Sequence, residues 1–597
     1  MDTNRHRSGT SLTNIAGRSA ARMSTVHRIR LIRSPLGSGK EDPSDDEHPQ
    51  VEAHDATLFD NPQFQHYEET SNIQLFFDLF FVANLTSFTN VHEVNSLSKL
   101  ASYIGFFCIL WFTWCQVTMY DVRFSTDSIF ERLAHICHFG VMVGLAVIGP
   151  NFEDPREAQW STLQQLSLIL MASRAVLFLQ YTSTLFFSWK YRTTRVPLMG
   201  VLTSLAIAVI LYLGLSFAFS TMASEHAYLA WYVIAVFEVG ANIAIAGRWH
   251  VVSFKGTHLT ERMTCLTLII LGEGVIGLTK SITKIENLDF NFSASTIGTL
   301  ISALLVIYFI YQLYFDNVQL EHFGIIRQQI WTFLHFPFHM ALVLLMEGTN
   351  QFVSWRHVIE YTNNILAPLD NPDPNQSADL YLLAVNNTIN SVLNNAFLGV
   401  TEDTYLEVTN DFKNITSNPN LTDDQATELA TTILVDLLKL IFNGYGFEPP
   451  ESETEGQDID TVFNAYYSVF ELVFGYFFIS AGLVLIFLGV LSWLSHSKGL
   501  HESRSHLGGI ISKFVIGLGL VLCSIMVLTQ SADNLGESAW TLPLLFFLLA
   551  IALILNHIPW SDFNRSRTHD LPTNSIGRQK KLPWGFLTKS VSRKRSQ

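Results

Sequence analysis

The chain repeats stretches of about twenty mostly apolar residues, and this feature constrains its fold more than any other. The stretches recur from residue 73 to residue 559. A helix that crosses the hydrocarbon core of a bilayer needs about 20 such residues. The chain is 48% hydrophobic and only 15% charged, a balance on the apolar side of soluble proteins. We therefore predict an all-α polytopic membrane protein whose first partner is the lipid bilayer.

The lengths of the apolar stretches predict about twelve transmembrane helices. Residues 71–348 hold the first nine, and residues 461–559 hold the last three. The predicted spans are residues 73–90, 99–120, 129–150, 162–186, 196–219, 227–247, 259–279, 295–315, 328–348, 463–493, 509–531 and 540–558. All five cysteines fall inside these spans, so we expect no disulfide framework.

Both ends of the chain are predicted to be cytoplasmic tails. Residues 1–70 are basic up to residue 40 and acidic after it, which is typical of a disordered segment. Residues 560–597 form a second basic tail. Short loops rich in Lys and Arg face the cytoplasm, and the loops that carry Lys190, Arg248 and Lys498 fall on the same side as both tails. Plasma membrane and endomembrane both fit this orientation.

The long segment of residues 349–460 is predicted to be a lumenal or extracellular loop domain. It carries four Asn-x-Ser/Thr sequons, which mark glycosylation sites in those compartments. The sequons begin at Asn375, Asn386, Asn414 and Asn420. Thr422 and Gln425 form a capping-box pattern ahead of an amphipathic stretch, so one helix is expected there, ending at Gly444.

A shift of 195 residues along the chain superposes charged residues of the two halves. The superposed pairs are Asp78 with Glu273, Asp121 with Asp316, and Arg132 with Arg327, and a further gap of two brings His138 onto His335. Six intervening spans preserve direction, which leads to the hypothesis of two parallel six-helix repeats, an arrangement frequent in transporters. The alternative is coincidence among charges that flank membrane spans.

Several motifs resemble those of the low temperature requirement A protein family. They are Leu-Phe-Phe-Asp at residues 75–78, Arg-Phe-Ser-Thr-Asp at 123–127, His-Leu-Thr-Glu-Arg at 258–262, Leu-Gly-Glu-Gly at 271–274 and Tyr-Phe-Asp at 314–316. The resemblance covers residues 70 to 345 well and residues 463 to 558 more loosely. Gln74 stands where the family has an acid, and the long loop is extra. The family implies a polytopic membrane protein but no particular reaction.

Four carboxylates lie deep inside predicted spans, and they are Asp78, Glu238, Glu273 and Glu471. An ionised carboxylate near the bilayer centre costs about 2.5 to 3.5 kcal/mol on insertion scales, so each needs a partner or a proton. Arg174 is embedded in the fourth span, and we expect it to pair with Asp78 or Glu273. Such groups either bind and release protons or clamp helices together, and four of them favour a functional role.

Two histidine pairs each occupy one face of a predicted helix. His135 and His138 are three residues apart in the third span, and His335 and His339 are four apart in the ninth. Imidazole titrates near neutral pH, so these faces suit a proton relay. Ligation of a divalent metal with carboxylates, binding of haem, and simple hydrogen-bonded packing are the alternatives.

Other charged residues lie at predicted span ends, where ion pairs that anchor turns are expected. These residues are Asp121, Arg123, Asp127, Arg132, Asp316 and Arg327. We expect Arg132 to pair with Asp121 or Asp127, and Arg327 to pair with Asp316.

The residue pattern predicts a proton- or ion-linked transporter or channel, with Asp78 and Glu273 at equivalent places in its two halves. An unknown ion or small solute is the expected partner, and nucleic acid, cofactors and a metal are not expected. An enzyme is not predicted, because the chain has no phosphate-binding Gly-rich loop, nucleophile elbow or His-Glu-x-x-His motif. A non-transporting sensing or scaffold factor and a haem-containing oxidoreductase are the alternatives.

Overall fold

The computed structural model describes most of the chain between residues 70 and 557. The described ranges are residues 29–36, 64–65, 70–91, 93–152, 160–220, 227–288, 293–318, 324–370, 378–417, 422–449, 459–496, 504–529, 535 and 538–557. The predicted tail 560–597, most of the tail 1–70, and the sequon residues Asn375 and Asn420 lie outside them.

Helices make up the regular structure of these ranges, apart from one isolated bridge between Leu36 and Phe64. The α-helices, numbered in chain order, are α1 Asn72–Thr89, α2 Leu97–Phe124, α3 Ile129–Ile148, α4 Trp160–Ser188, α5 Arg192–Ser220, α6 Leu229–Arg248, α7 Leu259–Leu288, α8 Ala294–Phe315, α9 Ile325–Asp370, α10 Ala378–Leu393, α11 Glu402–Ser417, α12 Asp423–Gly444, α13 Ile459–Ser495, α14 Arg504–Cys523 and α15 Thr541–His557.

Each of the twelve predicted spans corresponds to one helix, α1 to α9 or α13 to α15, although the span 509–531 runs past the end of α14 at Cys523. Ten helices in the described ranges are long and apolar enough to cross a membrane, and α15 is a shorter apolar helix. The prediction of an all-α polytopic membrane protein is confirmed. The two six-helix repeats stay a prediction.

Polar side chains fix where several helices begin. Ser96, Ser128 and Ser293 accept hydrogen bonds from backbone N–H groups of α2, α3 and α8 at 3.2, 3.3 and 3.0 Å, as N-cap residues do. At α1 the side-chain oxygen of Gln74 accepts the N–H of Ser71 at 3.0 Å. An amide oxygen therefore caps this helix.

Helix α2 is the centre of the bundle. In its most apolar 18-residue window 78% of the residues are buried, against 28% for the window on α14. It contacts α1, α4, α6, α7 and α9. Helices α13 and α14 pack beside this group, and their backbones meet where Gly482 faces the carbonyl oxygen of Gly517. Polar side chains that point inward from α2 are consequently shielded from lipid on every side.

Helix α9 is longer than the predicted ninth span, since it continues past residue 348 to Asp370. Its 46 residues extend about 69 Å, whereas the hydrocarbon core is about 30 Å thick. The extension therefore projects into the loop domain, where it packs against α10 and α12. The helix expected after Thr422 is α12, and its capping box and its end at Gly444 are confirmed.

Two of the four sequon asparagines are described. Asn386 lies half-buried in α10, and Asn414 is exposed in α11. Glycosylation at these positions stays a prediction.

Candidate functional site

Asp78 of α1 is paired with Arg262 of α7. Arg262 Nη2 lies 2.8 Å from Asp78 Oδ1, and both side chains are buried. The indole Nε1 of Trp114 donates to the same oxygen at 2.7 Å, and Arg262 Nη2 also donates to Thr118 Oγ1 at 3.2 Å. The predicted pair of Asp78 with Arg174 is wrong, because Arg262 neutralises this carboxylate.

Asp121 of α2 is buried and faces His135 of α3. The distance from Asp121 Oδ1 to His135 Nε2 is 3.7 Å. Neither carboxylate oxygen of Asp121 and neither ring nitrogen of His135 has a hydrogen-bond partner among the described residues. Of the two partners predicted for Arg132, Asp127 is confirmed, since the two side chains form an exposed pair at 2.8 Å.

Asp78, Asp121, His135 and Arg262 together form what we call the four-helix cluster, because they come from α1, α2, α3 and α7. Asp121 lies within electrostatic range of both Asp78 and Arg262. The second oxygen of Asp78 and two nitrogens of Arg262, Nε and Nη1, also lack partners in the described part of the chain. Buried polar atoms usually have partners in native proteins, so each one without a partner needs an explanation, such as an ordered water, an ion or a functional role.

The charges of the four-helix cluster do not balance. Two carboxylates face one guanidinium, so with His135 neutral and both carboxylates ionised the net charge is −1. Such a charge is expensive in a medium of low dielectric constant. In the described ranges no group of three or more His, Cys, Asp or Glu side chains is placed to hold a metal ion. A proton on Asp121 or His135 is the simplest way to balance the cluster.

A second polar group adjoins the cluster along α3. Glu131 accepts Tyr120 OH at 2.7 Å and Gln180 Nε2 at 2.8 Å. Because the Gln180 nitrogen donates to Glu131, its oxygen accepts His138 Nε2–H at 2.9 Å. The spacing of Glu131, His135 and His138 places all three on one helical face. Sequence reasoning missed Glu131, although that spacing was visible.

Arg174 pairs with Glu238 rather than with Asp78 or Glu273. Arg174 Nε lies 3.1 Å from Glu238 Oε2, and Nη1 donates to Thr113 Oγ1 at 3.0 Å. The guanidinium also lies 5.6 Å from the ring centroid of Tyr212. This balanced pair joins α4, α6 and α2 at an interface away from the four-helix cluster, and its geometry is that of a clamp.

The remaining span-end charges differ from their predicted pairing. Arg123 is buried and held by neutral groups, including Tyr181 OH at 2.7 Å and Asn242 Oδ1 at 2.9 Å. The predicted pair of Asp316 with Arg327 does not form. Asp316 lies 3.5 Å from His557 Nε2, and Arg327 donates to the carbonyl oxygen of His496 at 3.3 Å.

His335 and His339 are fully hydrogen-bonded by the protein. Trp111 Nε1 donates to His339 Nδ1 at 3.1 Å, so His339 Nε2–H donates to Thr267 Oγ1 at 2.9 Å. His335 Nδ1–H donates to the carbonyl oxygen of Trp331 at 2.8 Å, so its Nε2 accepts Tyr314 OH at 2.9 Å. All four ring nitrogens have partners, which favours packing over metal or haem ligation for this pair.

Glu273 of α7 lies at a different depth from Asp78. It accepts hydrogen bonds from Thr86 and Thr89, which follow Asp78 by eight and eleven residues. At 1.5 Å per residue, Glu273 is about 12 to 16 Å farther along α1. The prediction that Asp78 and Glu273 occupy equivalent places is wrong, because parallel repeats would put them at one depth. Glu471 lies half-buried on α13, outside both groups.

Glu273 lines a cavity of about 500 Å³ between α1, α7, α9 and the segment 445–447 that follows α12. We call it the loop-side cavity. Glu347, Lys280 and Gln351 line it as well. The described part of the chain therefore has two candidate sites, a buried charged cluster and a cavity displaced along the same helices.

The family model for the bacterial low temperature requirement A protein matches residues 69–373, more than half of the chain. This range includes every residue of the four-helix cluster and the parts of α1, α7 and α9 that line the loop-side cavity. No curated protein and no solved structure matches the chain.

Proposed function

This chain belongs to the low temperature requirement A family, and we propose that it is a proton-linked transporter of a small solute or ion. The observation that carries the proposal is the four-helix cluster, whose buried charges need at least one proton for balance. Arg262 neutralises Asp78. Asp121 faces His135 at 3.7 Å, and in this proposal the proton lies on one of these two side chains.

Protonation of the cluster can drive a conformational change, because its members come from four different helices. Gain or loss of a proton changes the attraction between α1, α2, α3 and α7 within a medium of low dielectric constant. A ligand or proton shifts a conformational equilibrium by the difference in its affinity for the two states. The proton affinity of a site that joins several helices is expected to differ between two arrangements of those helices.

The loop-side cavity supports the same proposal from the solute side. It offers a chamber with several charged and polar side chains next to the loop domain, and the buried cluster lies about 12 to 16 Å away along α1. Between them lie hydrogen-bonded side chains of α2, α7 and α9, namely Trp111, Thr267 and His339. A chamber reached from one face and a proton site behind it are what alternating access requires.

The proposal includes an orientation for this integral membrane protein. We place both termini in the cytoplasm and the loop domain in the lumen or outside the cell, in the plasma membrane or an endomembrane. The support is the Lys and Arg content of the short loops and the sequons of the loop domain.

A non-transporting membrane factor is the second candidate. The Arg174–Glu238 pair and the fully bonded His335 and His339 favour it, since they act as structural groups. Only the four-helix cluster and the loop-side cavity separate the two candidates.

Proton flux in proteoliposomes with a trapped pH-sensitive dye tests the proposal. We expect an imposed pH gradient to dissipate faster with the wild-type protein than in empty vesicles, and Asp121→Asn to abolish the difference. Asp127→Asn is the matched control, because Asp127 is exposed and pairs only at the surface. Flux equal to that of empty vesicles, or flux untouched by Asp121→Asn, would favour the non-transporting factor.

A further inference from the structure

The loop-side cavity has the dimensions of a small-molecule site. Its volume of about 500 Å³ falls in the range of about 300 to 1,000 Å³ that is typical of ligand pockets. The segment 445–447 lies over it, and Lys284 Nζ donates to the carbonyl oxygen of Tyr445 at 3.1 Å. Gly446 has a φ of +90°, and a side chain there would meet the carboxylate of Glu93. The absence of a side chain at Gly446 therefore lets the segment 445–447 lie close to Glu93 at the cavity.

The polar wall of the cavity is rich in hydrogen-bond acceptors. Gln351 is nine-tenths buried, and its Nε2 donates to Glu347 Oε1 at 3.0 Å. Its own Oε1 has no partner among the described residues, and neither has Oδ1 of Asn350. Together with the carboxylates of Glu273 and Glu347, these oxygens call for a ligand that donates hydrogen bonds.

The charge of the cavity calls for a cation. Glu93 forms an ion pair with Lys284 at the mouth, so these two charges cancel. Glu273 and Glu347 then face the single ammonium of Lys280. With both carboxylates ionised, one negative charge is left over, and one positive charge on a ligand would balance it.

Apolar side chains also line the cavity. They are Leu85, Ile270, Val343, Met346 and Phe447. We propose that the loop-side cavity binds a small organic cation, with an ammonium group held by Glu273, Glu347 and Gln351 and an apolar body packed against these side chains.

The inference rests on the proposed function where it names organic cations as the transported solute. Binding to the cavity can be measured at equilibrium without any transport. Binding without proton flux overturns the proposed function and leaves the cavity inference standing. Flux without binding does the reverse.

Isothermal titration of the full-length protein in detergent at neutral pH provides the test. The probes are phenethylammonium, its neutral isostere 2-phenylethanol and the anion 3-phenylpropionate. We expect phenethylammonium to bind at least about tenfold more tightly than either analogue, since the charge-assisted hydrogen bonds are lost without the positive charge. No binding of phenethylammonium, or equal binding of all three probes, overturns the inference.

Two variants with opposite expected effects keep the test independent of folding. Glu347→Gln should weaken phenethylammonium about tenfold or more, and Lys280→Gln should tighten it, because the first removes a negative charge and the second a positive one. The matched controls are Glu428→Gln and Lys413→Gln, on exposed positions of α12 and α11. If Glu347→Gln does not fold, Lys280→Gln decides alone. Unchanged or weakened binding in Lys280→Gln contradicts the proposed charge balance.

Discussion

Arg262 Nη2 and Asp78 Oδ1 lie 2.8 Å apart and join α7 to α1 inside the bundle. Breaking one member of such a pair leaves a buried charge uncompensated, which costs about 3 to 5 kcal/mol. We expect Arg262→Gln to lower the thermal stability of the purified protein strongly and the double variant with Asp78→Asn to recover part of the loss. A double-mutant cycle on unfolding in detergent measures this coupling. Strictly additive losses would show that the two side chains do not interact.

The close approach of α13 and α14 at Gly482 and Gly517 gives a second prediction. A methyl group added at Gly482 would meet the carbonyl oxygen of Gly517, and backbone atoms cannot rotate aside. We expect Gly482→Ala to push the helices apart and to cost about 1 to 3 kcal/mol. Gly519→Ala is the control, because nothing lies within 4 Å of its added methyl. Equal unfolding temperatures for the two variants would contradict the packing.

His339 and His135 are expected to respond differently to truncation. His339→Ala leaves the buried donor Trp111 Nε1 without its acceptor, at about 1 to 3 kcal/mol, and removes the N–H that donates to Thr267 Oγ1. His135→Ala removes a ring without hydrogen bonds in the described structure, so it should cost less stability but alter proton flux. Unfolding temperature and proteoliposome flux, measured on both variants, separate the two roles. If His339→Ala instead altered proton flux and His135→Ala mainly lowered stability, the proton relay would be assigned to His339.

The orientation is tested by glycosylation. Expressed in eukaryotic cells, the protein should lose mass on treatment with an N-glycosidase, because the proposed orientation puts the loop domain in the lumen or outside the cell. Asn414→Gln should reduce that loss, since Asn414 is exposed in α11. If the mass of neither the wild-type protein nor the variant changes on this treatment, the sequons no longer support the proposed orientation.

The helices were predictable from the sequence, whereas the partners of the charges were not. Apolar length is a local property, so all twelve predicted spans correspond to helices. Pairing depends on how neighbouring helices are rotated and shifted. Asp121 follows the predicted end of the second span, at residue 120, and was therefore assigned to the interface. Helix α2 continues to Phe124 with neighbours on every side, which buries it.

Arg262 and the extension of α9 were missed for similar reasons. Arg262 is the fourth residue of α7, where a cation is usually expected to reach the membrane surface. The contact with α1 instead turns it inward to Asp78. Beyond residue 348 the apolar content falls, yet the helix continues to Asp370 because α10 and α12 pack against it.

The protonation of the four-helix cluster is the central claim, and infrared spectroscopy of the membrane-embedded protein tests it directly. The difference spectrum of wild type minus Asp121→Asn at neutral pH should contain the C=O stretching band of a buried carboxylic acid, shifted in heavy water because its proton exchanges. The control difference of wild type minus Asp127→Asn should lack that band. Two results together would contradict a cluster that carries a proton. The wild-type minus Asp121→Asn spectrum would show only bands of ionised carboxylates, and His135→Ala would lose no imidazolium band.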